Sequence, residues 1–348
     1  MSTVGSSDTS KASRACDATG ARLVTRRSRS HGTAVLREPA PPLSKGWLKV
    51  AVATADKHER IEATHCAMPD IHEFITRAHR DLAGWVACFD VAQLPVLAAT
   101  AEELEGWRPV EDDVDAHLLA QTLSTDPLLI LKLLAHLARL RQDREGSEPE
   151  TVTEALVMLG IAPFFQAFGP QQTVEQTLSV QPLALAGFRR VLQRSHRAAR
   201  FAIAFAVHRM DHDAAVIHEA TLLHDFAELL LWLRAPALAL EIARLQNADS
   251  TMRSAVAQRQ VLSIELADLQ HALMKAWRLP ALLVQISNDH ALAATGQMRN
   301  VNLAIRVARH SARGWDDPAL PDDLREIGEL LQLTPEHTLR LLQDTDTD

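Results

Sequence analysis

The sequence predicts an all-α protein, a multi-helix domain behind a disordered N-terminal leader. Three observations carry this. Ala and Leu dominate a composition that is 47% hydrophobic with 9 Phe and no Tyr, and β-branched residues rarely cluster, which favours helices over strands. From residue 70 onward apolar residues recur at helical spacing. Helix-start signals precede several of these stripes, as in Thr125-Asp126-Pro127, a capping residue followed by proline where its missing N–H costs nothing.

Taken in order, residues 1–45 are rich in Ser, Thr, Gly and Arg and end in Pro39-Ala40-Pro41-Pro42. They read as a disordered basic leader closed by a stiff polyproline stub. Residues 46–89 read as a short strand and helix extension that packs on the core. The strand is placed at 47–55, where side chains alternate weakly, and the helix at 70–88, where Ile71, Phe74, Ile75, Ala78, Leu82 and Trp85 share a face. Residues 90–315 form the main helical domain. It contains a helix over 128–140 and another opened by Thr151-Val152-Thr153-Glu154, which has the capping-box form, and closed at Gly160. A Phe168–Gln172 link follows. Helices are then expected at 183–209, 214–233, 236–247, 252–259, 265–277, 280–288 and 299–313. Pro318 and Pro321 break the chain, and two short helices make a C-terminal cap over 316–348.

Charge and composition narrow the function classes. The formal net charge of the 348 residues is −8, yet residues 1–49 carry nine Lys/Arg against Asp8, Asp17 and Glu38. The rest is therefore strongly acidic, which does not suit a phosphate backbone. Nucleic-acid contact is expected, if anywhere, only through the basic residues 1–45. No run of about 20 apolar residues is present, so no membrane span is expected, and the polar N-terminus has no signal-peptide core. Cys16, Cys66 and Cys88 are widely spaced, which argues for a reducing compartment and against a thiolate zinc site. Neither a phosphate-binding G-x-x-x-x-G-K-[ST] loop nor a G-x-G-x-x-G turn nor a G-x-S-x-G elbow occurs. The paired acids Glu102-Glu103, Asp112-Asp113 and Asp322-Asp323 fall at expected helix ends or loops and read as solvated charge. Trp85, Trp107, Trp232, Trp277 and Trp315 are scattered and read as packing residues, not as a stacking platform.

The specific chemical signal is Leu222-Leu223-His224-Asp225-Phe226, an adjacent His-Asp pair in an apolar run. An imidazole beside a carboxylate can hold a divalent metal that activates water. Other candidate ligands lie nearby in sequence: His196, His208, His212, His218, His271, Asp289, His290 and His310. His208 and His212 are four apart, but Arg209 stands where a zinc protease has Glu, so the pair reads as a solvated helix end. His218 and His224, six apart, fall on different helix faces and are not expected to share an ion.

The stretch from Asp213 to Phe226 resembles the "GLLHDIG" segment of the HD superfamily of metal-dependent phosphohydrolases. More closely, it resembles the HDOD family, the HD-related output domains of bacterial signalling proteins. Three further segments support the narrower resemblance. Leu94-Pro95 with Leu123 to Leu134 is similar to the family's "LP…DPALSARLLRLAN" opening, and Val152 to Gly160 to its "SIEQAVVLLG" helix. Leu273 to Pro280, ahead of Asp289-His290, is similar to its "LL-x-x-W-x-LP…HH" segment. Together they cover about residues 90–313.

The resemblance implies a cytoplasmic bacterial regulatory protein that acts by binding a signalling protein or a ligand. It also frames a degenerate HD site of His196, His224, Asp225, His290 and Arg309. The upstream His ligand of HD enzymes falls on His196 or, equally well, on Arg194-Ser195. Ala227 follows Phe226 where the family has Gly, and Ala308-Arg309 stands in place of the closing "AD" step. With a cation at that last position, no metal and no cofactor are expected. The alternative is a divergent phosphohydrolase acting on a nucleotide or cyclic dinucleotide, with a divalent metal on His196, His224 and Asp225. A third reading makes residues 1–45 an Arg-rich binding arm. The residues name no particular partner or oligomeric state.

Overall fold

Asp81 starts the first helix, because its carboxylate accepts the Gly84 N–H at 2.8 Å. The computed structural model describes residues 74–142, 148–249, 251–287 and 295–347, so the leader and the strand expected at 47–55 lie outside the described residues. Of the helix expected over 70–88, residues 70–73 lie outside the described residues, and within the rest only α1, Leu82–Ala87, is an α-helix. The described residues before it form no helix, and the Ile75 N–H donates to the Arg234 carbonyl at 2.7 Å. Phe74, Ile75 and Ala78 still pack on the core. Their helical spacing reflects contact with a helical surface, not helix formation by the segment itself.

Four helices follow: α2 (Ala98–Trp107), α3 (Ala116–Leu123), α4 (Pro127–Leu140) and, beyond the residues left undescribed, α5 (Val152–Leu159). Asp126 caps α4 as expected, its Oδ1 accepting the N–H groups of Leu128 and Leu129. Its Oδ2 also accepts the Leu97 N–H at 2.7 Å, joining α4 to the start of α2. Burial pushes the Asp126 carboxyl up, and these hydrogen bonds oppose the shift. Lys132 is buried on the same helix and donates to the Leu94 carbonyl and to Gln171 Oε1; burial lowers its pKa to about 8. Thr151 caps α5, but Glu154 reaches back to the N–H of Glu150 instead of that of Thr151. The reciprocal box forms instead at Thr173 and Gln176. Gly160, at φ +88°, ends α5 in a conformation that favours glycine.

Next come α6 (Ile161–Ala167), α7 (Val174–Thr177) and the 28-residue α8 (Pro182–Arg209). The remaining helices are α9 (Ala214–Leu223), α10 (Phe226–Arg234), α11 (Pro236–Ala248), α12 (Ser254–Leu262), α13 (Leu266–Ala276), α14 (Ala281–Ile286), α15 (Gly296–His310), α16 (Leu320–Leu331) and α17 (Pro335–Thr347). Among the described residues there is no strand beyond an isolated parallel bridge between Val96 and Thr173, and no helix is long and apolar enough to cross a membrane. The expected helix over 214–233 is two helices, broken at His224-Asp225. Asp225 sits at the N-cap of α10 without capping it, because its carboxylate is engaged elsewhere.

The axis of the fold is α8, which packs against α9, α10, α11, α15, α16 and α17. Its buried face carries Phe188, Val191, Phe201, Ala202 and Phe205 at helical spacing. At the α8–α10 contact, Gly187 lets the two helices approach closely: a Cβ there would lie 2.5 Å from the Trp232 ring. Trp85, Trp232 and Trp277 are all buried in the core, as the packing reading expects.

Two predictions follow from this packing. Gly187→Ala gains about 0.5–1 kcal/mol of helix propensity, but the added methyl falls 2.5 Å from the Trp232 ring, which must shift to admit it. Overpacking of about 1–3 kcal/mol therefore wins, and urea melts are expected to show a less stable variant. The second concerns Glu219 on α9, whose Oε1 accepts the Val152 N–H at 2.8 Å while Oε2 has no partner among the described residues. Burial raises its pKa to about 8, with the Val152 bond opposing and Glu154 adding to the rise. The native state then holds a proton that the unfolded chain loses above about 4.3, so stability falls as pH rises from there to about 8. Glu219→Gln removes this contribution. Urea melts at several pH values are expected to show a flatter profile, the difference growing by at most about 1.4 kcal/mol per pH unit.

Candidate functional site

On α8 the residues Arg190, Arg194 and Arg197 are spaced four and three apart, so their side chains leave one helix face. That face borders a cleft of about 1340 Å³. The α9–α10 break supplies His224 and Asp225, the C-terminal end of α15 supplies Arg309 and His310, and Trp232 and Trp315 also line the cleft.

Asp225 is the centre of this wall. It is 8% exposed, and both carboxylate oxygens are occupied. Oδ2 accepts from Arg194 through Nε (3.1 Å) and Nη2 (2.8 Å). Oδ1 accepts from Arg309 Nη2 at 2.6 Å and lies 3.2 Å from His224 Nδ1. Arg194 also reaches Glu228 at 2.6 Å. Burial alone would raise the Asp225 pKa, but Arg309, Arg194 and the His224 bond outweigh it and hold the carboxyl well below the usual carboxylate range. For Arg194, burial disfavours the charge and the two carboxylates more than restore it.

The structure brings together His224, Asp225 and Arg309. His196 lies elsewhere: its Nε2 donates to the Thr125 carbonyl at 2.7 Å. His196 is also close enough to His218 to add to the lowering of that imidazole, which burial drives first. Of the two residues that compete for the upstream ligand position, Arg194 is the one that reaches the His-Asp pair. His290 and Asp289 lie outside the described residues. His208 and His212 do not share a helix face, since α8 ends at Arg209; His208 Nε2 bonds to the Leu331 carbonyl at 3.1 Å.

A divalent metal does not fit the described residues at this place. A metal-binding carboxylate must turn a lone pair to the ion, and both Asp225 oxygens face guanidinium groups instead. Two guanidinium charges stand where a divalent ion would supply its own. Among the described residues no group of three or more His, Cys, Asp or Glu side chains is placed to hold a metal.

Asp322-Asp323 departs from the expectation of solvated charge. Asp323 is fully buried, not solvated, held by Arg306 Nη2 at 2.6 Å and by His310 Nδ1 at 2.5 Å. Its Arg306 partner also pairs with Glu326 at 2.8 Å. The only sequence signal was the position of Asp323 in the first turn of α16, and it does not distinguish a buried acid from a solvated one.

Removing Asp225 leaves the partly buried Arg194 with Glu228 alone. Asp225→Ala is expected to cost about 3–5 kcal/mol, as for other broken buried pairs. Arg309→Ala is expected to cost less, because Arg309 is half-exposed and Arg194 remains. Asp225 is depressed in the folded state. Its stabilisation is therefore present above the unfolded value of about 3.9 and lost as pH falls through the lower folded one. Acid melts of wild type and Asp225→Ala are expected to converge at low pH.

Comparison with known proteins places the fold. The HDOD domain model matches residues 94–292. The MmoQ response regulator from Methylococcus capsulatus is 21% identical, with 72% of this chain and 98% of that one covered and a TM-score of 0.53. A virulence factor from Campylobacter jejuni is 16% identical, with 76% and 98% covered and a TM-score of 0.52. At these identities the likeness is one of fold. No curated protein matches the chain. The family match takes in four segments read from the sequence, the α4 start, α5, the His-Asp turn and the α13–α14 region, and it spans more than half of the chain: the protein belongs to the HDOD family.

Proposed function

We propose that this HDOD protein is a non-catalytic regulatory protein of bacterial signal transduction that acts in the cytoplasm by binding a protein or ligand. In this reading the His224-Asp225 pair is a degenerate metal site. It works as a brace between α8, the α9–α10 turn and α15, and it needs no cofactor. The observation that carries the reading is the saturation of both Asp225 oxygens by Arg194 and Arg309. A water-activating metal requires open carboxylate and imidazole ligands, and here guanidinium groups take the carboxylate.

Elemental mass spectrometry of untagged protein purified without chelator tests this directly. The expected result is a folded protein with far less than one Fe, Mn, Zn or Mg per chain. His224→Ala is expected to change stability or partner affinity, with no phosphoester turnover to lose. About one metal per chain, together with turnover that disappears in His224→Ala, overturns the proposal in favour of a divergent phosphohydrolase.

A further inference from the structure

The same cleft holds a second ion pair, one that does not involve Asp225. Arg197 on α8 is 15% exposed. Its guanidinium lies 5.2 Å from the Phe201 ring centroid and 5.3 Å from that of Trp315. Two aromatic rings therefore fix its plane. The fork is filled by Asp346: Nε donates to one carboxylate oxygen at 2.6 Å and Nη2 to the other at 2.7 Å. This is a bidentate receptor for an oxyanion, and its occupant is a side chain from the last turn of this chain's own C-terminal helix.

Asp346 is 24% exposed and also lies 3.7 Å from Arg200. Leu342 is fully buried and anchors α17 one turn earlier, whereas Gln343, Asp344 and Thr347 are exposed. The same cleft is lined by Arg190 and Arg313, which form no ion pair among the described residues. Two other acids on the cleft wall are engaged: Glu265 with Arg259, and Asp317 with the Ala319 N–H. Once Asp346 leaves, Arg197 and Arg200 join Arg190 and Arg313 as cations without carboxylate partners among the described residues.

We infer that Arg197 is the anion-binding centre of a site for a phosphate-bearing small molecule, and that Asp346 is an internal carboxylate latch which such a ligand displaces. Phosphate carries more charge and more acceptor oxygens than a carboxylate, which suits a cleft whose wall also carries Arg190 and Arg313. The cleft is large enough for a nucleotide-sized molecule. The inference rests on the reading of the protein as one that acts by binding. Its test is a binding measurement, independent of the metal and turnover assays that decide that reading.

Calorimetric titration of the full-length chain with inorganic pyrophosphate is the test, run on wild type, Asp346→Ala, Asp344→Ala and the Arg197→Gln/Asp346→Ala double variant. A latch closed about nine-tenths of the time weakens apparent affinity about tenfold. Asp346→Ala is therefore expected to bind about tenfold tighter than wild type, and the double variant to lose the gain. Asp344→Ala changes the charge equally without touching Arg197, and is expected to behave as wild type. Hydrogen exchange of residues 343–347 in the wild type is expected to quicken on adding pyrophosphate, with circular dichroism confirming that the variants fold. Equal affinities in wild type and Asp346→Ala, an equal gain in Asp344→Ala, retained affinity without Arg197, or no binding by any variant overturns the inference. Tighter binding of malonate than of pyrophosphate overturns the assignment to phosphate.

Discussion

A carboxylate removed from water must have its charge matched, and in this protein that requirement centres on Asp225. Burial of the group is costly by itself. It is met by Arg194 from the central helix and Arg309 from the end of α15. Three elements distant in sequence are therefore held at one point. The break between α9 and α10 is part of the same solution, because a carboxylate turned toward α8 and α15 is not available to cap its own helix. The cleft, the brace and the arginine face of α8 all depend on this placement.

The same logic recurs wherever the chain buries charge. Asp126 joins the α4 start to the segment ahead of α2, Lys132 joins α4 to the loop before α7, and Asp323 joins α15 to α16 through Arg306 and His310. Each lies at a junction between helices, where apolar contact is non-directional and leaves the relative placement of elements loosely specified. Hydrogen-bonded charges are directional and costly to misplace. In an Ala- and Leu-rich bundle they set which helix ends meet.

Much of the helical framework is legible in the residues. The boundaries of α4 and α8 follow from Asp126-Pro127, from the apolar stripe of α8 and from its loss beyond Arg209, because caps and periodicity are local properties. Two segments show where local reading fails. Residues 74–81 have helical spacing yet form no helix, and the Ile75 N–H bonds to the end of α10 instead. The apolar run through His224 reads as one helix because nothing local marks the break, where Asp225 pairs with residues 31 and 84 positions away. For the site, the His-Asp pair and the cation at Arg309 were visible. The choice between His196 and Arg194 was not, because the two lie two residues apart and fall on different sides of α8.

The sequence by itself determined the helical class and the family, because composition, capping and short motifs are carried by neighbouring residues. Only the tertiary structure decided that Arg194 and Arg309 close on the two oxygens of Asp225, that Asp323 is buried, and that Asp346 fills the fork of Arg197. Those are contacts between residues far apart in the chain. Charge pairing across such distances depends on where helices pack, and no local pattern encodes it.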